Sequence, residues 1–259
     1  MKMLFASIGG LLSLAGFTTL GPAVSPSPAR TPVVVELFTS EGCSSCPSAD
    51  ATLRELESSQ PVPGAEIIAL GQHVDYWNRL GWQDAFSAPA YTARQGQYAA
   101  HFGSGSYTPQ AVVQGREELV GSRRADLLAA IGRAAKAPQA QVRLSGGRDG
   151  QPLRVQVTEL PTGIGPAQVV LFVTESGLST QVGRGENAGQ LLRHATVVRS
   201  LRPLGEVPAT GTFEAAPTLA LAAGWNPAHL RAVVLVQAVR TRQVVGVGTL
   251  ALGEGARAQ

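Results

Sequence analysis

The chain has 259 residues, of which 44% are hydrophobic, and a net charge of +3. That length and apolar share are enough to bury a full core, which excludes a disordered chain and allows one large domain or two of ordinary size. The 21 basic residues include only Lys2 and Lys136 as lysines and form no cluster, so the basic stripe expected of a nucleic-acid binder is missing.

At the N-terminus Lys2 precedes an apolar, small-residue run from Leu4 to Leu20, and Gly21-Pro22-Ala23 offers small residues at cleavage spacing. Residues 1–23 read as a secretory signal and 24–32 as a tether; the alternative is an uncleaved anchor, since the run approaches spanning length. Either way the body of the protein is expected outside the cytoplasm, periplasmic or secreted. No stable membrane insertion is expected after signal cleavage.

Val33–Phe38 is a β-branched, apolar run of strand length. After a turn, Cys43-Ser44-Ser45-Cys46 opens a helix expected to reach Glu57, with Leu53 and Leu56 on one face. Pro47 suits its first turn, where an amide hydrogen would have no partner. Ala65–Leu70 reads as a second buried strand, and strand-helix-strand of this length implies a right-handed parallel crossover. His73, Asp75 and Trp77 then fall at the C-terminal end of that strand, the edge where open α/β sheets collect ligand and catalytic groups. Asn78–Ser87 is a loop holding Trp82. Pro89–Phe102 is expected to be helical, with Tyr91, Gln95, Tyr98 and Phe102 at turn spacing. Ala111–Gln114 and Glu117–Val120 read as paired strands, and Ser122 as the cap of a helix carrying Arg123, Leu127, Ile131 and Ala135.

From Gln139 the texture changes to short strand-like runs with frequent Gly and Pro: 141–145, 153–158, 169–174, 196–201, 212–215, 232–239 and 244–250. Such a series suggests an antiparallel sandwich. The expected organisation is an α/β domain over 33–137 followed by a β-rich, sandwich-like domain over 138–259.

Both cysteines of the chain lie in the one Cys-x-x-Cys motif between strand and helix, the arrangement of reversible dithiol chemistry. The helix start favours thiolate over thiol through its free amides and partial positive charge. Cys43, in the turn, is the expected nucleophile and Cys46 the resolving thiol. A structural staple is the plainer alternative, but a four-residue loop contributes only about 2 kcal/mol against about 3 for a fifteen-residue one. His73 and Asp75 alternate on an extended segment and can share a face, where the imidazole would help form the thiolate; a strand-capping His is the alternative. Trp77 either packs the core or meets substrate. Glu186, Asn187 and His194 read as residues fixing a loop.

Two rival functions remain. Cys43, Cys46 and His73 suit copper(I) or zinc, with His101 as the nearby candidate for a fourth zinc ligand. Methionine occurs only at positions 1 and 3, which removes the thioether ligands usual for extracytoplasmic copper. Alternatively the β-rich half is a binding module and the disulfide is inert. No Gly-x-Ser-x-Gly, His-Glu-x-x-His or phosphate loop is present. No cofactor or resident metal is expected.

Val35-Glu-Leu-Phe-Thr-Ser-Glu-Gly-Cys-Ser-Ser-Cys-Pro47, His73-Val-Asp-Tyr-Trp77 and Tyr107-Thr-Pro-Gln-Ala-Val-Val113 together resemble the secreted family called domain of unknown function 1223. Arg184-Gly-Glu-Asn-Ala-Gly189, Leu192-Arg-His194 and Val197-Val-Arg199 carry the likeness into the second half. The resemblance implies a thioredoxin-like fold over 33–137 with an attached β-rich part, and no assigned reaction. Within that pattern Thr108-Pro109 takes the place of a cis-proline beside the dithiol, where the Thr108 backbone meets a substrate chain. Glu36 resembles, one residue further away, the buried acid beneath the dithiol that accepts the resolving thiol's proton; a Glu pointing to solvent from a strand edge is the alternative. The Ser-Ser pair and the long segment before Thr108 depart from thioredoxin. The expected function is thiol–disulfide exchange with a thiol- or disulfide-bearing protein or a small thiol, in an undetermined direction.

Overall fold

The computed structural model describes residues 30–208 and 211–253. The expected signal segment, 1–23, lies outside them, as does most of the tether; the first strand begins at Thr31, two residues inside the expected tether.

The first half runs β1 (Thr31–Thr39), α1 (Cys46–Ser59), β2 (Ala65–His73), α2 (Pro89–Phe102), β3 (Gln110–Val113), β4 (Glu117–Val120) and α3 (Arg124–Ala134). β1 and β2 are parallel, while β3 and β4 add antiparallel on the other side of β1. Because successive side chains of a strand point to opposite faces, β1 and β2 sort their residues by parity. Val33, Val35 and Leu37 with Ile67 and Ala69 face α1 and α3, meeting Leu53, Leu56, Leu127 and Ile131. Each such buried Leu or Ile contributes about 1.5–3 kcal/mol relative to exposure. Val34, Ile68 and Leu70 face the other way, toward Tyr91 of α2, and Phe38 meets Tyr98. α1 starts with Pro47 in its first turn and ends on Gln60 in the left-handed region (φ 46°), whose amide donates to Leu56 O. α3 is capped differently from expectation: its N-cap is Arg123 without a side-chain bond, and Ser122 supplies only its carbonyl to the Arg124 amide.

The second half adds β5 (Gln141–Gly146), β6 (Leu153–Thr158), β7 (Ala167–Glu175), β8 (Ser179–Gln181), β9 (Leu191–Arg193), β10 (Val197–Val207), β11 (Phe213–Ala215), β12 (Leu230–Ala238) and β13 (Val244–Ala251). Strands from both halves form one eight-stranded sheet, ordered β13-β12-β7-β10-β2-β1-β3-β4. A three-stranded sheet, β11-β6-β5, covers one face of its β-rich end over a Val-rich core. The molecule is therefore mixed α/β. β8 and β9, three residues each and without alternation, were not legible as strands; they flank the loop 182–190.

The seam between halves lies where β10 meets β2 in parallel at Val197 and Gly71. The Gly71 amide donates to Thr196 O at 2.7 Å. A Cβ at Gly71 would stand 3.1 Å from that carbonyl oxygen, tighter than side chains normally accept, so glycine is what lets the two backbones join. This junction delivers the segment before β10, including His194, to the C-terminal end of β2.

Candidate functional site

Cys43 and Cys46 are joined in a disulfide, with Cα atoms 5.4 Å apart. Ser45 is the N-cap of α1, so Cys46 occupies the first helical position and Cys43 the preceding turn. The disulfide is covered: each cysteine is only 1% exposed. Its cover comes from the second half. Asn187 Nδ2 donates to Cys43 O at 3.0 Å and to Glu41 O at 2.9 Å, and the Ser44 amide donates to Glu186 Oε2 at 2.9 Å. The Ser44 hydroxyl first, and then this amide, hold the Glu186 carboxyl below its ordinary range. Trp82 braces the same loop, its ring lying against Gly183 and its Cβ against Gly185, while its indole N–H donates to Glu41 Oε2 at 2.7 Å.

Three of the residues singled out in the sequence gather at this turn. The Thr108–Pro109 bond is cis, and Pro109 stands beside Gly121 together with Ala49 of α1. Trp77 lies against Gly42, and its Nε1 donates to Thr108 Oγ1 at 2.9 Å.

Two others are elsewhere. Glu36 is fully buried but has the parity of Val34 and Phe38, so it points to the sheet face opposite α1. There it accepts from Arg94 (2.5 and 2.8 Å), Tyr98 (2.5 Å) and Gln72 (2.7 Å). Burial above all pushes the Tyr98 hydroxyl far up, so it stays a donor. A base beneath the dithiol is therefore not Glu36. Asp75 does not share a face with His73: β2 ends at His73, and Asp75 turns to accept from Thr92 of α2 at 2.5 Å. His101, considered as a metal ligand, is exposed in the last turn of α2 against Phe102.

His73 instead meets Asp84, Nδ1 to Oδ2 at 2.7 Å. Asp84 also accepts from the amides of Glu41 and Phe86. Burial is the largest influence on the His73 pKa and lowers it, but the charge and hydrogen bond of Asp84, with smaller help from Asp50 and Glu41, outweigh it and leave it raised. Burial likewise works to raise the Asp84 pKa, and His73 with the two amides overcomes it, leaving it lowered. Asp50, one helical turn beyond Cys46, accepts from Thr39 Oγ1 at 2.7 Å and from the Ala195 amide at 3.1 Å. Thr39 and His73 share the parity that faces α1. His194 completes the group: one ligating atom each of Asp50, His73 and His194 lies within 4.8 Å of the others.

Asp50, Asp84, Glu41 and the cover residues Glu186, Asn187 and His194 are thus functional candidates that strand and helix periodicity did not reveal. Glu186, Asn187 and His194 were legible only as residues fixing a loop and, with Glu41, as parts of the family-like motifs.

The family described as Protein of unknown function (DUF1223) matches residues 34–237. An X-ray structure of a protein from Agrobacterium tumefaciens is 28% identical, with a TM-score of 0.68 over 90% of this chain and 99% of that one. HBP35 of Porphyromonas gingivalis is 17% identical, with a TM-score of 0.56 over 89% of this chain and 79% of that one, a likeness of fold. No functionally curated protein matches the chain significantly.

Proposed function

The chain belongs to the DUF1223 family, and for it we propose thiol–disulfide exchange through Cys43 and Cys46 in an extracytoplasmic compartment. The observation that carries this reading is the disulfide at the first turn of α1, with Trp77 against Gly42 and bonded to Thr108. The order β1-α1-β2-α2-β3-β4-α3, with β1 between β2 and β3, is what a thioredoxin-like unit over 33–137 requires, and it supports that finer reading of the fold. The β-rich remainder, 138–259, then serves as its cover. The apolar run 4–20 and the oxidised cysteine pair support an oxidising, periplasmic or secreted location.

In exchange, a partner thiolate attacks Cys43 Sγ, the Cys43–Cys46 bond breaks, and Cys46 leaves as a thiolate at the helix N-terminus. A second thiolate of the partner then attacks the partner's sulfur in the mixed disulfide, expelling Cys43 as a thiolate and leaving the partner oxidised; in the opposite direction the Cys43 thiolate opens a partner disulfide and Cys46 resolves the mixed disulfide. Thr108 and Trp77 line the approach, and the partner is a thiol- or disulfide-bearing protein or a small thiol. The chemistry uses no cofactor. Because both cysteines are buried, the loop 182–190 must lift for the partner to reach Cys43.

That same burial favours a second reading, a structural disulfide closed under the loop. A glutathione titration with thiol trapping and mass spectrometry separates the two. A reduction potential between about −120 and −270 mV is expected for exchange, whereas a pair still oxidised below about −300 mV is structural.

A further inference from the structure

Beneath the first turn of α1 lies a cavity of about 10 Å³, lined by Glu41, Pro47, Asp50, His73 and His194 among others. That is about the room of a single water-sized sphere. Its walls are chemically unusual. Glu41, Asp50, His73 and His194 are each at most 4% exposed, and they come from four separate places: the end of β1, α1, the end of β2 and the segment before β10.

The His73 ring is poised to ligate. Asp84 Oδ2 already takes the Glu41 amide at 2.9 Å, which marks it as an acceptor, so His73 Nδ1 donates to it. The lone pair of the neutral imidazole is then on Nε2, and that buried atom has no hydrogen-bond partner among the described residues. Burying such a group unpaired is costly, so it calls for an explanation. A carboxylate on one imidazole nitrogen with the other nitrogen free is the outer shell seen around metal-bound histidines. Glu41 Oε1 is the second unpartnered atom: it lies 3.1 Å from His194 Nε2 without hydrogen-bond geometry.

We propose that His73, His194 and Asp50, with Glu41 as fourth ligand, bind one divalent first-row metal ion, for which zinc is the fitting member. Two imidazoles and two carboxylates form a nitrogen–oxygen set of the right number for tetrahedral zinc, and the two carboxylates balance its charge. Bonds of about 2.0–2.1 Å place tetrahedral ligand atoms roughly 3.4 Å apart. The ligand atoms of Asp50, His73 and His194 lie within 4.8 Å of one another, and Glu41 Oε1 stands 3.1 Å from His194 Nε2, so the set is already gathered near that spacing. The ion reaches the site past His194, which also lines an open cleft of about 560 Å³ between α1 and the 176–179 segment. The site uses neither cysteine, so it is independent of the exchange reading.

The test is a zinc titration of the full secreted chain, stripped with a chelator and kept disulfide-bonded, against a chromophoric competitor. One equivalent per chain is expected, with a free-thiol assay reading zero throughout. His194→Gln and Asp50→Asn should each weaken binding by more than about 100-fold, and Asp84→Asn by about 10–100-fold. Should a variant misfold, histidine NMR of the unmutated protein decides: zinc must shift the rings of His73 and His194 and leave those of His101 and His229. No stoichiometric binding, binding at full affinity in His194→Gln and Asp50→Asn, or unshifted His73 and His194 rings overturns the site.

Discussion

Gln72 and His73 are neighbours in the chain, yet they belong to two buried polar clusters on opposite faces of the sheet. On the α2 face, Gln72 joins Glu36, Arg94, Tyr98 and Gln237. Both Glu36 oxygens and every Arg94 nitrogen have partners, and the Tyr98 hydroxyl has three. Only Gln72 Oε1 is left over. On the α1 face, His73 joins Asp84, Asp50, Glu41 and His194, and there His73 Nε2 and Glu41 Oε1 are unpartnered within a cavity. A network with all but one atom paired specifies packing; a cluster with unspent acceptors around a cavity is where ligand chemistry belongs.

The comparison breaks most visibly at Glu36. Glu36→Ala strands the Arg94 charge in the core and should cost about 3–5 kcal/mol in a denaturant melt. The paired replacement Glu36→Leu with Arg94→Met should recover much of that loss, because an apolar pair needs no compensation. Neither result would be expected if Glu36 served the dithiol. On the other face, Asn187→Ala removes two bonds that hold the loop over Cys43. A loss of about 1.4 kcal/mol in closing the loop should speed reduction of the disulfide by dithiothreitol roughly tenfold, with a smaller fall in the melting temperature. An unchanged rate would mean that the loop does not gate the sulfurs.

The smallest effect is expected at Glu57, which joins α1 to β2 and the 194–196 segment through the Ala69 amide and Thr196 Oγ1. Burial raises its pKa above 4.5, against smaller lowering by those two bonds and Arg231. The folded state therefore holds this proton more tightly than the unfolded state. The resulting stability is fully present below the unfolded pKa and is lost as pH rises through the raised folded value. Glu57→Gln should remove that slope and raise stability at neutral pH by less than about 1 kcal/mol, read from melts across the acid range. A steeper slope in the variant would reverse the assignment.

Much of this architecture is legible without coordinates. The helix Pro89–Phe102 and the strands Glu117–Val120 and Leu153–Thr158 have the bounds expected from periodicity and from Gly and Pro punctuation. β8 and β9 escape because three residues cannot show a period. The Glu36 assignment fails for a related reason: the acid's chain distance from Cys43 says nothing about which face α1 covers, and with both faces of β1 buried only the packing of α1 on Val33, Val35 and Leu37 settles that.

Local pattern, then, determined the Cys-x-x-Cys turn before a helix, Pro47 in the first turn of that helix and the order of the longer strands and helices. Those signals act within a few residues of themselves, through helix and strand periods and the fixed φ of proline. What covers the disulfide and what surrounds His73 were decided only by tertiary structure. Asn187 reaches Cys43 across 144 residues, and Ala195 reaches Asp50 across 145. Both contacts depend on β10 joining β2 at Gly71, where two backbones meet because no side chain separates them.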